Sequence, residues 1–125
     1  MNVVDSSAWL EYFANGPNAS RFAAAVEDVE RLIVPSICLL EVFKRVLLQR
    51  DEQSALNAVA LMQQGSVDDL TAETAVDAGR IGVMLKLPLA DSVVLATARK
   101  HAATLWTQDA DFEGIEGVKF FAKKK

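Results

Sequence analysis

Apolar residues follow two rhythms along this chain. Short apolar runs such as "NVV", "LIV" and "TLW" stand between longer stretches in which apolar positions recur at helical spacing. The first rhythm predicts strands covered on both faces and the second predicts amphipathic helices. "NVVD" reads as a first strand ended by a carboxylate, followed by a helix "SSAWLEYFA" (Trp9, Leu10, Phe13) that stops at "NGPN". "ASRFAAAVEDVE" is a second helix and "RLIVP" a second strand closed by Pro35, with Ser36 placed to cap the helix "ICLLEVFKRVLLQR". "DEQSALNAVALMQQG" is a helix ending at Gly65, "SVDDL" a short third strand, and Thr71 the cap of "AETAVDAGRIGVMLKL", which runs to Pro88. "ADSVVLATARKHA" is a helix rich in small residues, able to lie close on a sheet. "ATLWTQD" and "GVKFFA" are the fourth and fifth strands.

Strands that alternate with helices predict an α/β fold of three layers, a central and mostly parallel sheet of about five short strands with helices on both faces. No repeat, low-complexity segment or long linker interrupts residues 1–125, so one domain is expected. In such folds ligands gather outside the carboxyl ends of the strands, where strand order reverses.

Composition narrows the class. A chain that is 51% hydrophobic and 24% charged is globular. The one cysteine, Cys38 in "SICLLEV", excludes a disulfide framework and a CxxC zinc pattern and reads as a small core residue. The start "MNVVDSS" has no basic leader and no run is long enough to span a membrane, so a reduced, cytoplasmic compartment is expected. The net charge of −4 argues against nucleic acid, but the cations cluster: Lys44, Arg45 and Arg50; Arg80 and Lys86; Arg99, Lys100 and His101; and the tail Lys123, Lys124 and Lys125. Such clusters fit either a phosphate path around an acidic centre or plain solvated helix faces with a frayed tail.

The acidic centre is the stronger signal. Asp5 closes the first strand and Asp109 the fourth, with Asp111 just beyond. Asp91 opens a helix after a proline turn, and Glu41 lies about one and a half turns into the helix after strand two. Four convergent carboxylates cannot all ionise unaided, so at least one is expected to keep its proton above the usual range, and divalent cations of the Mg²⁺ or Mn²⁺ kind are implied. Each acid also has a plainer account. Asp5 and Asp91 fit helix N-caps, Glu41 a surface pair with Lys44 or Arg45, and Asp109 and Asp111 turn formers. His101, the only histidine, reads as a helix-end partner for backbone carbonyls, which leaves no Ser-His-Asp triad. No glycine-rich phosphate loop is present. What remains is metal-assisted attack of water on a phosphodiester.

The segments "VVDSSAWLEYF", "IVPSICLLEVFKRV", "LPLADSVVLATARKH" and "LWTQDADF", in that order over nearly the whole chain, resemble PIN domains and, by size, the ribonuclease toxins of VapBC-type toxin–antitoxin pairs. The resemblance implies metal ligation by Asp5, Glu41, Asp91 and Asp109, with Ser6, Thr107 and Asp111 as supporting polar groups. It also implies Mg²⁺- or Mn²⁺-dependent cleavage of RNA, homodimerisation and neutralisation by an antitoxin protein. One departure is Gln108, at a position that is basic in many relatives. Two other classes are a PIN-like module that binds RNA or protein without cleaving it, and a phosphoacceptor signalling domain, which would want an acidic pair where this chain has Asp5 and Ser6. The early helices carry a surplus of large apolar residues, from Trp9, Tyr12, Phe13 and Phe22 to Leu39, Leu40, Phe43, Val46, Leu47 and Leu48. The surplus beyond the core is expected to serve a dimer seam and a groove for an apolar antitoxin segment.

Overall fold

The structure is a computed structural model that describes residues 1–124. The strands are β1 (Asn2–Val4), β2 (Leu32–Pro35), β3 (Ser66–Asp68), β4 (Thr104–Thr107) and β5 (Val118–Phe120). The helices are α1 (Ser6–Phe13), α2 (Ala19–Val26), α3 (Ser36–Gln49), α4 (Glu52–Met62), α5 (Ala72–Leu85) and α6 (Leu89–Lys100). The five strands form one sheet in the order β3-β2-β1-β4-β5. Every neighbouring pair is parallel. The chain lays down β1, β2 and β3 toward one edge and then returns for β4 and β5, so strand order reverses between β1 and β4. A crevice opens outside the carboxyl ends at such a reversal. In the flavodoxin-like arrangement of phosphoacceptor domains β1 lies between β2 and β3, whereas here it lies between β2 and β4, and that alternative is dropped.

Burial follows the apolar pattern. All four residues of β2 are buried, as are Val3, Val4 and Leu105 on the central strands. Trp9 and Phe22 are fully enclosed, so the core takes these two members of the apolar surplus, and Cys38 is a core residue as expected. Ser92 through Ala98 in α6 are all buried, which their small or branched side chains permit. Gly82 lets α5 approach closely, since a Cβ there would stand 2.6 Å from Ser92 Oγ. Among the described residues no single helix is long and apolar enough to cross a membrane.

Three boundaries differ from expectation. Ser36 is not a cap but the first residue of α3, preceded by Pro35 with no side-chain cap bond. The reason is that β2 still pairs with β3 through Pro35 and Asp68, so the helix starts directly from the strand. α2 ends at Val26, and a separate 3₁₀ turn spans Val29–Arg31. α5 stops at Leu85 because Lys86 takes a left-handed conformation, φ 56°, and the chain then turns through 113° into α6. Pro88 also disfavours helical geometry at Leu87. Thr71 caps α5 as predicted, its Oγ1 accepting from Thr74 N at 3.2 Å.

Candidate metal centre

The site begins where β1 ends. Asp5 N–H donates to Trp106 O at 2.9 Å, which extends the β1–β4 ladder and fixes Asp5 at the carboxyl edge of the sheet. Asp5 also caps α1, but the capping bond from Ser7 N is long at 3.4 Å. Its Oδ2 accepts shorter bonds from Ser7 Oγ at 2.7 Å and Thr107 Oγ1 at 2.9 Å. Thr107 is fully buried, and with its proton given to Asp5 its oxygen accepts Asp109 N–H at 2.9 Å. One hydroxyl thus couples the acids at the ends of β1 and β4. Burial raises the Asp5 carboxyl above the ordinary carboxylate value, the two hydroxyls oppose this, and Glu41 and Asp109 add to it by repulsion.

Glu41 is oriented by Ser6, whose Oγ donates to its Oε1 at 2.7 Å. No ion pair joins it to Lys44 or Arg45 among the described residues, so the surface-pair account of Glu41 does not hold. Asp91 lies in the first turn of α6, which starts at Leu89 after Pro88, so Asp91 is not the helix cap. Asp109 does form a turn, its Oδ1 accepting Asp111 N–H at 2.9 Å. That turn brings Asp111, itself exposed, toward Asp91: one carboxylate oxygen from each of Asp91, Asp109 and Asp111 lies within 4.8 Å of the others. Unit charges about 5 Å apart at an effective dielectric near 20 repel by about 3 kcal/mol. Accordingly Asp91 is pushed up to about 8, by burial first and then by Asp109, Asp5 and Asp111. One acid of the group holds its proton well above the usual range, as convergence required.

Asp5, Glu41, Asp91 and Asp109 all line one open cleft of about 900 Å³, and Lys44 and Arg45 lie on its wall. A partly exposed, anionic, all-oxygen donor set fits a hard divalent cation such as Mg²⁺ or Mn²⁺. Members of two other cation clusters are engaged elsewhere. Arg80 pairs with Asp77 at 2.7 Å, and Lys100 and His101 both contact Asp68. His101 therefore meets a carboxylate at the end of β3, not the backbone carbonyls expected of it. Asp68 closes β3 within reach of the end of α6, and a carboxylate is a stronger hydrogen-bond acceptor than a neutral carbonyl.

Two polar residues of the site were not anticipated. Ser7, not Ser6, donates to Asp5. Nothing in "DSS" distinguishes the two serines until the helix turns one toward β4 and the other toward α3. Asn18, fully buried and bonded to Gln108, sits in "NGPN", which the sequence marks only as the end of the first helix.

A family model described as PIN domain matches residues 3–118. No curated protein sequence matches the chain. Among solved structures, a toxin–antitoxin complex from Klebsiella pneumoniae is similar at 23% identity and a TM-score of 0.78, over 95% of this chain and 96% of that one. VapC20 from Mycobacterium tuberculosis, a toxin described as cleaving the sarcin–ricin loop, is 20% identical with a TM-score of 0.78, over 93% and 95% of the two chains. A DNA-bound VapBC from Salmonella typhimurium is 19% identical with a TM-score of 0.74, over 97% and 96%. At these identities the likeness to solved structures is one of fold.

Proposed function

The chain belongs to the PIN-domain family, and from that premise we propose that it is a metal-dependent endoribonuclease acting in the cytoplasm as the toxin of a toxin–antitoxin pair. The observation that carries this reading is the convergence of Asp5, Glu41, Asp91 and Asp109 on one cleft at the β1/β4 reversal. Those four acids would hold Mg²⁺ or Mn²⁺, with Asp111 close enough to Asp91 and Asp109 to share the task. A cation bound there would supply Lewis-acid polarisation of a phosphodiester and ease ionisation of the attacking water. The remaining work belongs to the protein. Ser7 and Thr107 hold the Asp5 carboxylate in one orientation, and Ser6 does the same for Glu41. Lys44 and Arg45 on the wall of the cleft offer charge to flanking phosphates.

Partners follow from apolar surface left outside the core. Leu40 and Leu48 on α3 are 61% and 80% exposed beside the acidic cleft, and Val83, Met84 and Leu89 crowd the α5–α6 corner. We assign these faces to a second copy of the chain and to an apolar antitoxin segment that covers the cleft. The Klebsiella structure, itself a toxin–antitoxin complex, lends support by shared fold.

Purified protein is expected to cleave single-stranded RNA with Mg²⁺ or Mn²⁺ and to stop on chelation. Asp5→Asn, Glu41→Gln, Asp91→Asn and Asp109→Asn should each lower the rate by roughly a hundredfold or more, and combining them should add little because the four act as a unit. Cleavage undiminished in EDTA overturns the reading.

A further inference from the structure

The chain does not leave the site at β5. Phe121 N–H donates to Thr107 O at 3.0 Å, which carries the β4–β5 pairing one residue further. The Phe121 ring packs edge-on against Phe22 at 5.7 Å, and the Arg21 guanidinium lies over it at 5.1 Å. Beyond it, Asn18 Nδ2 donates to Ala122 O at 2.9 Å and to Gln108 Oε1 at 3.1 Å. Gln108 is itself only 8% exposed, and its Nε2 donates to Ser7 O at 3.5 Å. Asn18 Oδ1 is buried without a partner, which is an unfavourable arrangement. An amide kept in this orientation despite that is fixed by its two donated bonds. The result is a polar line from Ser7, which holds Asp5, through Gln108 and Asn18 to the backbone of the C-terminal segment.

The next residue is Lys123, and it lines the same cleft as Asp5 and Asp109. Among the described residues it pairs with no carboxylate. Its position complements Lys44 and Arg45. Those two stand on α3, which follows β2, whereas Lys123 follows β5, on the far side of the β1/β4 reversal. Cations therefore flank the acidic centre from both directions along the sheet edge. A strand of RNA crossing that centre carries phosphates on either side of the bond to be cut, and needs a cation for each.

On the nuclease reading above, we propose that Lys123 is an RNA-binding residue that contacts a phosphate beside the cleavage position, and that Asn18 and Gln108 are positioning residues that seat it. Residues 121–123 are thus a docked arm of the site, and Lys125 lies outside the described residues.

The test is binding of a short fluorescein-labelled single-stranded RNA, followed by anisotropy through a salt titration, with Ca²⁺ in place of Mg²⁺. Each phosphate contact on a single strand contributes about 0.7 to the slope of log K against log salt. Lys123→Gln is expected to weaken binding several-fold and to lower the slope by about 0.7, while Lys123→Arg restores both. Lys124→Gln, with the same change in net charge, should leave affinity and slope as in the wild type. Gln108→Met keeps the volume and cuts the tie to Asn18. It should reproduce the slope of Lys123→Gln, and the double variant should fall no further. In steady-state cleavage Lys123→Gln should raise KM and leave kcat near the wild-type value. A wild-type slope in Lys123→Gln, or an equal loss in Lys124→Gln, overturns the proposal while leaving the nuclease reading intact. Wild-type slope in a folded Gln108→Met overturns the positioning role. Failure of the wild-type protein to bind RNA at all overturns this proposal and the nuclease reading together.

Discussion

The two sides of the cleft hold their carboxylates by different means. Asp5 and Glu41, on the β1 and α3 side, each receive hydroxyl hydrogen bonds at 2.7–2.9 Å, from Ser7 and Thr107 in one case and Ser6 in the other. Asp91, Asp109 and Asp111, on the α6 and β4 side, face mainly one another within 4.8 Å, and Asp91 has another carboxyl, Asp111, for its hydrogen-bond partner. Folding gives the first side hydroxyl donors that offset part of the cost of burying Asp5. The second stays in conflict until a proton or a cation arrives. A centre divided this way pairs a fixed reference carboxylate with a group whose charge is balanced by what it binds.

Removing the hydroxyl that serves the first side should break the contrast most sharply. Thr107→Val keeps the shape but takes a donor from buried Asp5 and an acceptor from Asp109 N–H. Leaving a buried charged group short of a donor and an amide without a partner should cost about 3 kcal/mol in urea unfolding. Thr107→Ser should recover most of it. A loss below about 0.5 kcal/mol, the range of an ordinary surface substitution, would mean that Asp5 does not depend on its hydroxyls.

The second side should show itself through pH. Asp91 is raised in the folded state from 3.8 to about 8, so between those values the native protein binds a proton that the unfolded chain does not. Where the native state binds more protons, stability falls as pH rises. The metal-free protein should therefore lose stability between about pH 4 and pH 8, and regain it on acidification within that window. With solvent screening of a partly exposed carboxyl allowed for, the loss should be about 2 kcal/mol. Asp91→Asn should reduce the slope to the part contributed by the raised Asp5, and Mg²⁺ should reduce it in the wild type by stabilising the charged form through mass action. Melts at several pH values with EDTA or Mg²⁺ measure this. A slope unchanged by Asp91→Asn would show that the acids on this side are not in conflict.

The contrast also explains what could be read from the sequence. The fold was legible because short apolar runs and helical periodicity are local signals, and all five strands lie where the runs are. That Asp5, Glu41, Asp91 and Asp109 would line one cleft was legible because each sits at the end or first turns of an element that points at the same sheet edge. What distinguishes the two sides was not legible. It depends on hydrogen bonds between residues about a hundred positions apart, such as Thr107 to Asp5, and on which of two adjacent serines a helix turns inward. The same holds for Asn18, whose "NGPN" setting signals only a helix end while its partners, Gln108 and Ala122, come from the far end of the chain. The approach of Asp111 to Asp91 was not legible because it follows from a turn whose tightness no spacing rule specifies.

The smallest effect separates the two serines and tests whether the acceptor's surroundings set the strength of each bond. Ser6 is the more buried serine, at 7% exposure, but it serves Glu41, which water reaches; Ser7 is less buried but serves Asp5, at 4%. If the value of a hydroxyl lies in what it does for its acceptor, Ser7→Ala should cost about 1.5 kcal/mol, because Asp5 has little water to turn to. Ser6→Ala should cost only about 0.5 kcal/mol, because Glu41 can exchange the hydroxyl for solvent. Both bonds are 2.7 Å long, so length does not separate them. Double-mutant cycles in urea, Ser7→Ala with Asp5→Asn and Ser6→Ala with Glu41→Gln, isolate each pair from the loss of serine packing. A coupling at Ser6–Glu41 equal to that at Ser7–Asp5 would mean that the α3 wall shields its carboxylate as well as the sheet edge does. The division would then run between satisfied and unsatisfied acids alone, with no distinction of depth on the first side.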